Sequence, residues 1–278
     1  MELSLSVRIA EAACKTKLNV PFEHLVDLAV QHGYRAICMR ASAGGIGTPA
    51  DELARMRETV EAAGLRVSMV TADCDVPLNN ERGPDSLRDI GPSLNVAESL
   101  GCDLIRVCLK TKDDILWAQR AADAAVARGI RLAHQCHTTT LFEQIDRSLE
   151  VLNQIDRPNF GLIYEPANLL LCGEPYGPAA LQALAPRIMN VYVQNHRLDP
   201  EGPAVLETWC QGPVQFHHLP VWESGGVDFP VVVQALQEIG YDGFLTIHQH
   251  YAHLMGPEEA AEKSAEYFRG CGGFTTWR

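Results

Sequence analysis

The stretch Ala97-Glu98-Ser99-Leu100-Gly101-Cys102-Asp103-Leu104-Ile105-Arg106-Val107 joins the end of a helical run to a short apolar strand through one glycine. Gly101 stands where a left-handed C-cap stops a helix, and Leu104–Leu109 reads as a buried strand. The phrase recurs at Ala63-Gly64-Leu65-Arg66 and at Ile239-Gly240-Tyr241-Asp242, while Gly33 and Gly129 also follow helical runs. Helix, glycine, one or two polar residues and strand, repeated along a chain, mark alternating βα units.

Working outward, the apolar runs predict strands at Leu3–Ile9, Ala36–Arg40, Arg66–Thr71, Leu104–Leu109, Arg131–Gln135, Phe160–Glu165, Asn190–Gln194 and Phe244–His248. Amphipathic spacing predicts helices over Phe22–His32, Thr48–Ala63, Ser86–Ser99, Asp113–Arg128, Leu141–Gln154, Pro178–Leu184, Phe229–Ile239 and Pro257–Phe268. Eight such units in 278 residues point to one (β/α)8 TIM barrel domain over residues 1–278. A doubly wound open sheet would place a glycine-rich turn after the first strand, where this chain has Arg8-Ile9-Ala10-Glu11. Arg197–Gly226 is the longest stretch without periodicity, and a loop of that length in a compact domain is usually functional.

With 46% hydrophobic residues the chain can bury a large core. Its net charge of −12 argues against nucleic acid and anionic membrane surfaces, which need clustered Lys and Arg. No apolar run reaches the length of a membrane span, and Met1-Glu2-Leu3-Ser4 lacks the basic and apolar regions of a signal peptide. The nine cysteines, with no Cys-x-x-Cys pair, fit a reduced cytoplasmic protein that uses Cys for packing, Cys136 included.

The chemistry gathers at strand ends. His134-Gln135-Cys136-His137, Gln194-Asn195-His196 and His248-Gln249-His250 close three apolar runs, and Glu165 closes a fourth. In a barrel these positions share the catalytic mouth. Strand alternation turns Gln135, Glu165, Gln194 (or Tyr192) and His248 inward. Arg8, Arg40 and Arg106 also lie near strand ends, where they would bind an acidic or hydroxylated substrate or form structural ion pairs. In the long loop, His217-His218, Trp222 and Trp209 suit either a substrate cap or packing. Ser42–Thr48 could cradle an anion at a helix N-terminus, but lacks a P-loop lysine.

Gly225-Gly226-Val227-Asp228-Phe229, followed by Ala235-Leu236-Gln237-Glu238-Ile239-Gly240-Tyr241-Asp242-Gly243, resembles the sugar phosphate isomerase/epimerase superfamily, the xylose isomerase-like TIM barrels. The opening phrase Ala97–Val107 fits the same family, and the resemblance covers nearly the whole chain. It implies a divalent metal, often manganese, held by Glu, Asp, His and Glu at the ends of strands five to eight. The two Glu residues also exchange protons with the sugar. Matched residue by residue, the first Glu falls on Gln135, with His137 near it, and the Asp falls on Glu165, with Asn168 following. The family His falls on Tyr192, its Lys-Asp pair on Gln194-Asn195, and the last Glu on His248. Arg197 resembles a substrate-binding Arg of some family epimerases.

One carboxylate of three therefore remains. The expected metal set is Glu165, Gln135, Gln194 and His248, for Mn, Zn, Fe or Ni. Gln135 cannot take a proton at neutral pH, so proton transfer passes to His137, His196 or His248. Expected substrate contacts are Arg197, Arg106 and Trp222. The function implied is a sugar or keto-sugar isomerase or epimerase working by metal-assisted proton abstraction next to a carbonyl. Its alternatives are a keto-sugar lyase or dehydratase with a histidine base, and a non-catalytic barrel serving as a binding or subunit protein. Apurinic endonucleases share the barrel but need a carboxylate-rich multi-metal site and a basic groove. The expected partner is a small sugar or polyol derivative, and a homo-oligomer is left open.

Overall fold

The computed structural model describes residues 1–73 and 75–275; Cys74, read above as a packing cysteine, lies outside them. The strands are β1 (Glu2–Ser6), β2 (Ala36–Met39), β3 (Arg66–Thr71), β4 (Leu104–Val107), β5 (Arg131–Gln135), β6 (Phe160–Tyr164) and β7 (Ile188–Val193), then β8 (Asn195–Leu198), β9 (Ala204–Thr208), β10 (Gly212–Leu219) and β11 (Phe244–Ile247). Eight of them close a parallel barrel in the order β1-β11-β7-β6-β5-β4-β3-β2, while β8, β10 and β9 form a separate antiparallel sheet. The barrel closes where Leu3 meets Leu245 and Leu5 meets Ile247. This is the (β/α)8 architecture expected from the repeat.

Around the barrel run α1 (Phe22–Gln31), α2 (Ala50–Ala62), α3 (Asp85–Arg88), α4 (Gly91–Ser99), α5 (Asp114–Val126), α6 (Ile145–Ile155), α7 (Pro166–Leu171), α8 (Pro178–Leu184), α9 (Phe229–Glu238) and α10 (Pro257–Cys271). The joint glycines are left-handed as expected, with φ of +67° at Gly101. There an added Cβ would also meet the Arg57 guanidinium at 2.9 Å. Among the described residues, no helix is long and apolar enough to cross a membrane.

Three expectations need correction. The helix read over Ser86–Ser99 is two helices, because Pro92 can sit only in a first turn and so forces a new start at Gly91. The first strand stops at Ser6, whose hydroxyl accepts the Arg8 N–H and opens a 3-10 turn over Val7–Ala10. Arg197–Gly226 is largely a sheet excursion rather than an irregular loop, since β10 pairs with both β8 and β9. The helix α7 was not anticipated.

The interior of the barrel is layered. Cys38, Met69, Leu104, Ala133, Ile163 and Tyr192 form one buried apolar layer. Side chains alternate along each strand, so the next inward position on these strands lies two residues further on. Those positions are Arg40, Thr71, Arg106, Gln135, Glu165 and Gln194, all buried. The apolar layer is the floor and the polar layer above it is the mouth.

Candidate active site at the barrel mouth

Glu165 sits at the heart of the polar layer, fully buried. One of its oxygens accepts N–H groups from Gln135 and from Asn168, the latter at 2.9 Å, and the other accepts from Gln194. Asn168 lies one turn along α7 from Glu165 and also donates to the Cys136 carbonyl at 2.8 Å. Burial pushes the Glu165 carboxyl up to about 7, against the opposing pull of Gln194, Arg8 and Arg106.

Opposite this amide cradle is a cationic cluster. Arg8 reaches in from the 3-10 turn, Arg40 follows β2, and Arg106 stands on β4. The NH1 groups of Arg8 and Arg40 lie 3.1 and 3.5 Å from Nε2 of His248, while Ser6 Oγ lies 3.2 Å from its Nδ1. Nε2 facing two guanidiniums is the acceptor, so the His248 proton resides on Nδ1. Burial, reinforced by Arg8 and Arg40, holds this imidazole well below its ordinary range. Glu11 is committed to Arg40, with Nε to Oε1 at 2.7 Å, and accepts the Ser42 hydroxyl at 2.6 Å.

Above the polar layer lies a cavity of about 510 Å³, bordered by Arg8, Arg106, His137, Asn168, Gln194 and His196 among others. The excursion roofs it through Val205, Leu206, Phe216 and His218. His137 is held well below its ordinary pKa by burial and then by Arg106, and burial brings His196 down to about 3. His196 Nδ1, Gln135 Oε1, and Nε and NH1 of Arg106 are buried without a partner. Lys15, on the cavity wall, donates to the Pro77 carbonyl at 3.1 Å.

The turn of the excursion is pinned to the barrel by Glu143, whose carboxylate accepts the N–H of Trp209 at 2.8 Å and of Cys210 at 2.9 Å, and that of Thr139. Among the described residues, Glu143, Cys172 and Cys210 form a group whose potential ligand atoms lie within 4.8 Å of one another. With its oxygens given to backbone N–H groups, Glu143 acts there as an anchor.

The inward set read from alternation, Gln135, Glu165, Gln194 and His248, is brought together at the mouth. His137, His196 and Arg106 border the cavity, whereas His248 lies enclosed beneath it. Arg197 and Trp222 are corrections. On β8 the side chain after His196 turns outward, so Arg197 is exposed opposite His217. Trp222 stacks with Tyr251 at 6.3 Å and lies under Lys263 of α10 at 5.7 Å, away from the cavity. Trp209 is 54% exposed and does not border the cavity. In the Ser42–Thr48 loop, the Ile46 N–H is taken by the chain's own Asp73 carboxylate rather than left for an anion. Cys136 is buried in the core cluster, as its packing role required. Sequence reasoning missed Lys15 and Asn79, which border the cavity from connecting segments where no periodicity marks a facing; the Asn79 amide lies 3.1 Å from Nδ1 of His137.

A barrel with a polar mouth under a roofing insert defines a class of protein, and comparison gives its family. The chain belongs to the xylose isomerase-like TIM barrel family, whose model matches residues 26–271. No match to a curated protein was found. Among solved structures, it is similar to a xylose isomerase domain protein from Planctomyces limnophilus, at 18% identity over 97% of this chain and 96% of that one, TM-score 0.74. A second is the probable 3-DHS dehydratase AsbF, involved in petrobactin synthesis, from Bacillus anthracis, at 16% identity over 97% and 99%, TM-score 0.72. A third is a xylose isomerase-like TIM barrel protein from Mycobacterium smegmatis in complex with magnesium, at 16% identity over 97% and 96%, TM-score 0.70.

The residues expected to hold a divalent metal can be tested against their surroundings. Both Glu165 oxygens face amide N–H groups, and Nε2 of His248 faces two guanidiniums. A hard cation needs converging oxygen lone pairs and negative charge. Of the four residues, the amide oxygens of Gln135 and Gln194 remain for that need, without negative charge, and substrate hydroxyls would satisfy them equally. As folded, these residues do not fit a divalent cation.

Proposed function

We propose that this protein acts on a sugar or keto-sugar derivative by removing a proton next to a carbonyl, with histidine as the base. The observation that carries this reading is that His137 and His196 border one cavity together with Arg106. His196 presents a buried, unpartnered Nδ1. A positioned general base contributes about 10²–10⁴ in rate.

The electron pair left by the proton moves onto the carbonyl oxygen. Its developing charge meets the Arg106 guanidinium, whose free Nε and NH1 are oriented before the reaction begins. Return of the proton to the former carbonyl carbon, with the neighbouring hydroxyl proton passing to the former carbonyl oxygen, gives an isomer, and return to the other face of the first carbon gives an epimer. Expulsion of a hydroxyl one carbon further on, leaving as water with the proton held by the histidine, gives dehydration. Asn168 and Gln194, which border the cavity and are fixed by Glu165, would hold substrate hydroxyls.

A non-catalytic barrel fits less well. Each unpartnered buried polar group costs about 1–3 kcal/mol, and those gathered at the mouth, on Arg8, Arg106, Gln135 and His196 among others, argue for a ligand that satisfies them. Incubation with keto-sugars and sugar acids in D₂O, followed by NMR, tests the reading. Deuterium should enter the carbon beside the carbonyl with the wild type and be lost in His137→Ala or His196→Ala. Undiminished exchange in both variants would contradict it.

A further inference from the structure

We infer that the barrel mouth is an anion site: Arg8 and Lys15 hold a carboxylate or phosphate group of the substrate beside Arg106, and the same cluster keeps divalent cations out. The inference deepens the proposed function and rests on the cavity being a substrate site. Its first support is a charge imbalance. Arg8, Lys15, Arg40 and Arg106 stand at the mouth against the buried Glu11 and Glu165 and, on the roof, the exposed Glu207. Glu11 is committed to Arg40 and Glu165 to three amides. Among the described residues, none of Arg8, Lys15 and Arg106 forms a salt bridge with a carboxylate.

The second support is unspent hydrogen-bonding capacity. Nε of Arg8, and Nε and NH1 of Arg106, are buried with no acceptor. A guanidinium N–H bonds a carboxylate or phosphate as a charge-assisted pair, shorter and stronger than a neutral one. Leaving buried charges uncompensated is costly, so a bound anion would recover much of that cost.

The third support is mutual repulsion. Burial, then Arg40, brings Arg8 down to about 10. Burial, then Arg8, Arg40 and Arg106, brings Lys15 down to about 8. An entering anion relieves this crowding, whereas a divalent cation worsens it. Position agrees as well. Arg8 and Lys15 border both the main cavity and a side cavity of about 120 Å³ beside it. The charged end of a substrate can rest there while its carbonyl lies toward Arg106 and the histidines.

The experiment is isothermal titration of the full chain after chelator treatment, with D-gluconate, D-glucose 6-phosphate and neutral D-glucitol as probes, alongside a Mn²⁺ titration followed by electron paramagnetic resonance. One anion should bind once per chain, at least about tenfold tighter than D-glucitol, and the preferred arm tells carboxylate from phosphate. Losing a charge-assisted bond costs about 1.5–3 kcal/mol, so Arg8→Gln should weaken that anion by about tenfold to a hundredfold. Lys15→Gln, at the wall, gives a second variant with little risk to folding, checked by circular dichroism; it too should weaken the anion. Mn²⁺ should show no stoichiometric site. Equal affinity for D-glucitol, failure of both anions to bind, unchanged affinity in both variants, or one Mn²⁺ per chain overturns the inference. Anion binding without deuterium exchange would leave it standing and defeat the proposed reaction instead.

Discussion

The imidazole of His248 lies flat on the ring of Tyr192, with centroids 3.6 Å apart and planes 9° from parallel. Tyr192 belongs to the apolar floor and His248 to the polar layer, so this stack is the joint between the two. It fixes the ring whose Nε2 faces Arg8 and Arg40. Tyr192 is fully buried and its hydroxyl meets only the weak partner Cys38 Sγ, at 3.4 Å. Tyr192→Ala should therefore cost about 3–5 kcal/mol, as for other large-to-small core changes, and Tyr192→Phe under about 1.5 kcal/mol. Urea denaturation of the two variants measures both.

Acid should weaken the fold early. Burial holds His134 and His196 down at about 3 and His218 at about 4, against 6.5 when unfolded. The unfolded chain then binds more protons below pH 6.5, so stability is present above that value and lost as pH falls. Each fully differential proton contributes about 1.4 kcal/mol per pH unit. Unfolding free energy from urea titrations should decline steeply from pH 6.5 to pH 4.5. Glu165, raised to about 7, acts in the opposite sense between 4.5 and 7, but as a single group. A flat profile over this range would contradict the burial of the imidazoles.

Glu165→Gln tests the amide cradle. Three amide N–H groups converge on the carboxylate. A glutamine there offers one acceptor oxygen and adds two donors of its own. The expected loss is about 1–3 kcal/mol, read from thermal or urea unfolding, even though the side chain is nearly isosteric.

Glu143→Gln should release the roof. Its carboxylate anchors the β9–β10 turn through the N–H groups of Trp209 and Cys210, and that of Thr139. Losing these charge-assisted bonds should cost about 1.5–3 kcal/mol locally and make residues 204–219 the first site of limited proteolysis, with the barrel intact. Mass spectrometry of the first fragments checks this.

The barrel was legible because each βα unit carries its own glycine stop and apolar strand, at Gly101 as at Gly240. The inward facing of Gln135, Glu165, Gln194 and His248 was legible because the last residues of these strands alternate, and the register shift between Leu162 and Ile163 falls before Glu165 and Gln194. Arg8 was harder to place: its facing depends on the 3-10 turn that Ser6 opens, and no strand parity survives that turn. The excursion was hidden because β9 and β10 expose one face to solvent and show no strongly apolar run. Arg197 misled for a related reason, since a one-residue step from His196 reverses the side of the sheet. The family resemblance located the mouth but not its charge, which is set by which arginines lack a carboxylate partner.

In the proposed reaction histidine and arginine, rather than a bound cation, carry the chemistry of this mouth. The most direct test measures deuterium entry beside the substrate carbonyl in the wild type, once with excess chelator and once with added Mn²⁺. Equal rates in the two samples are predicted. Exchange that appears only with Mn²⁺ would contradict the claim.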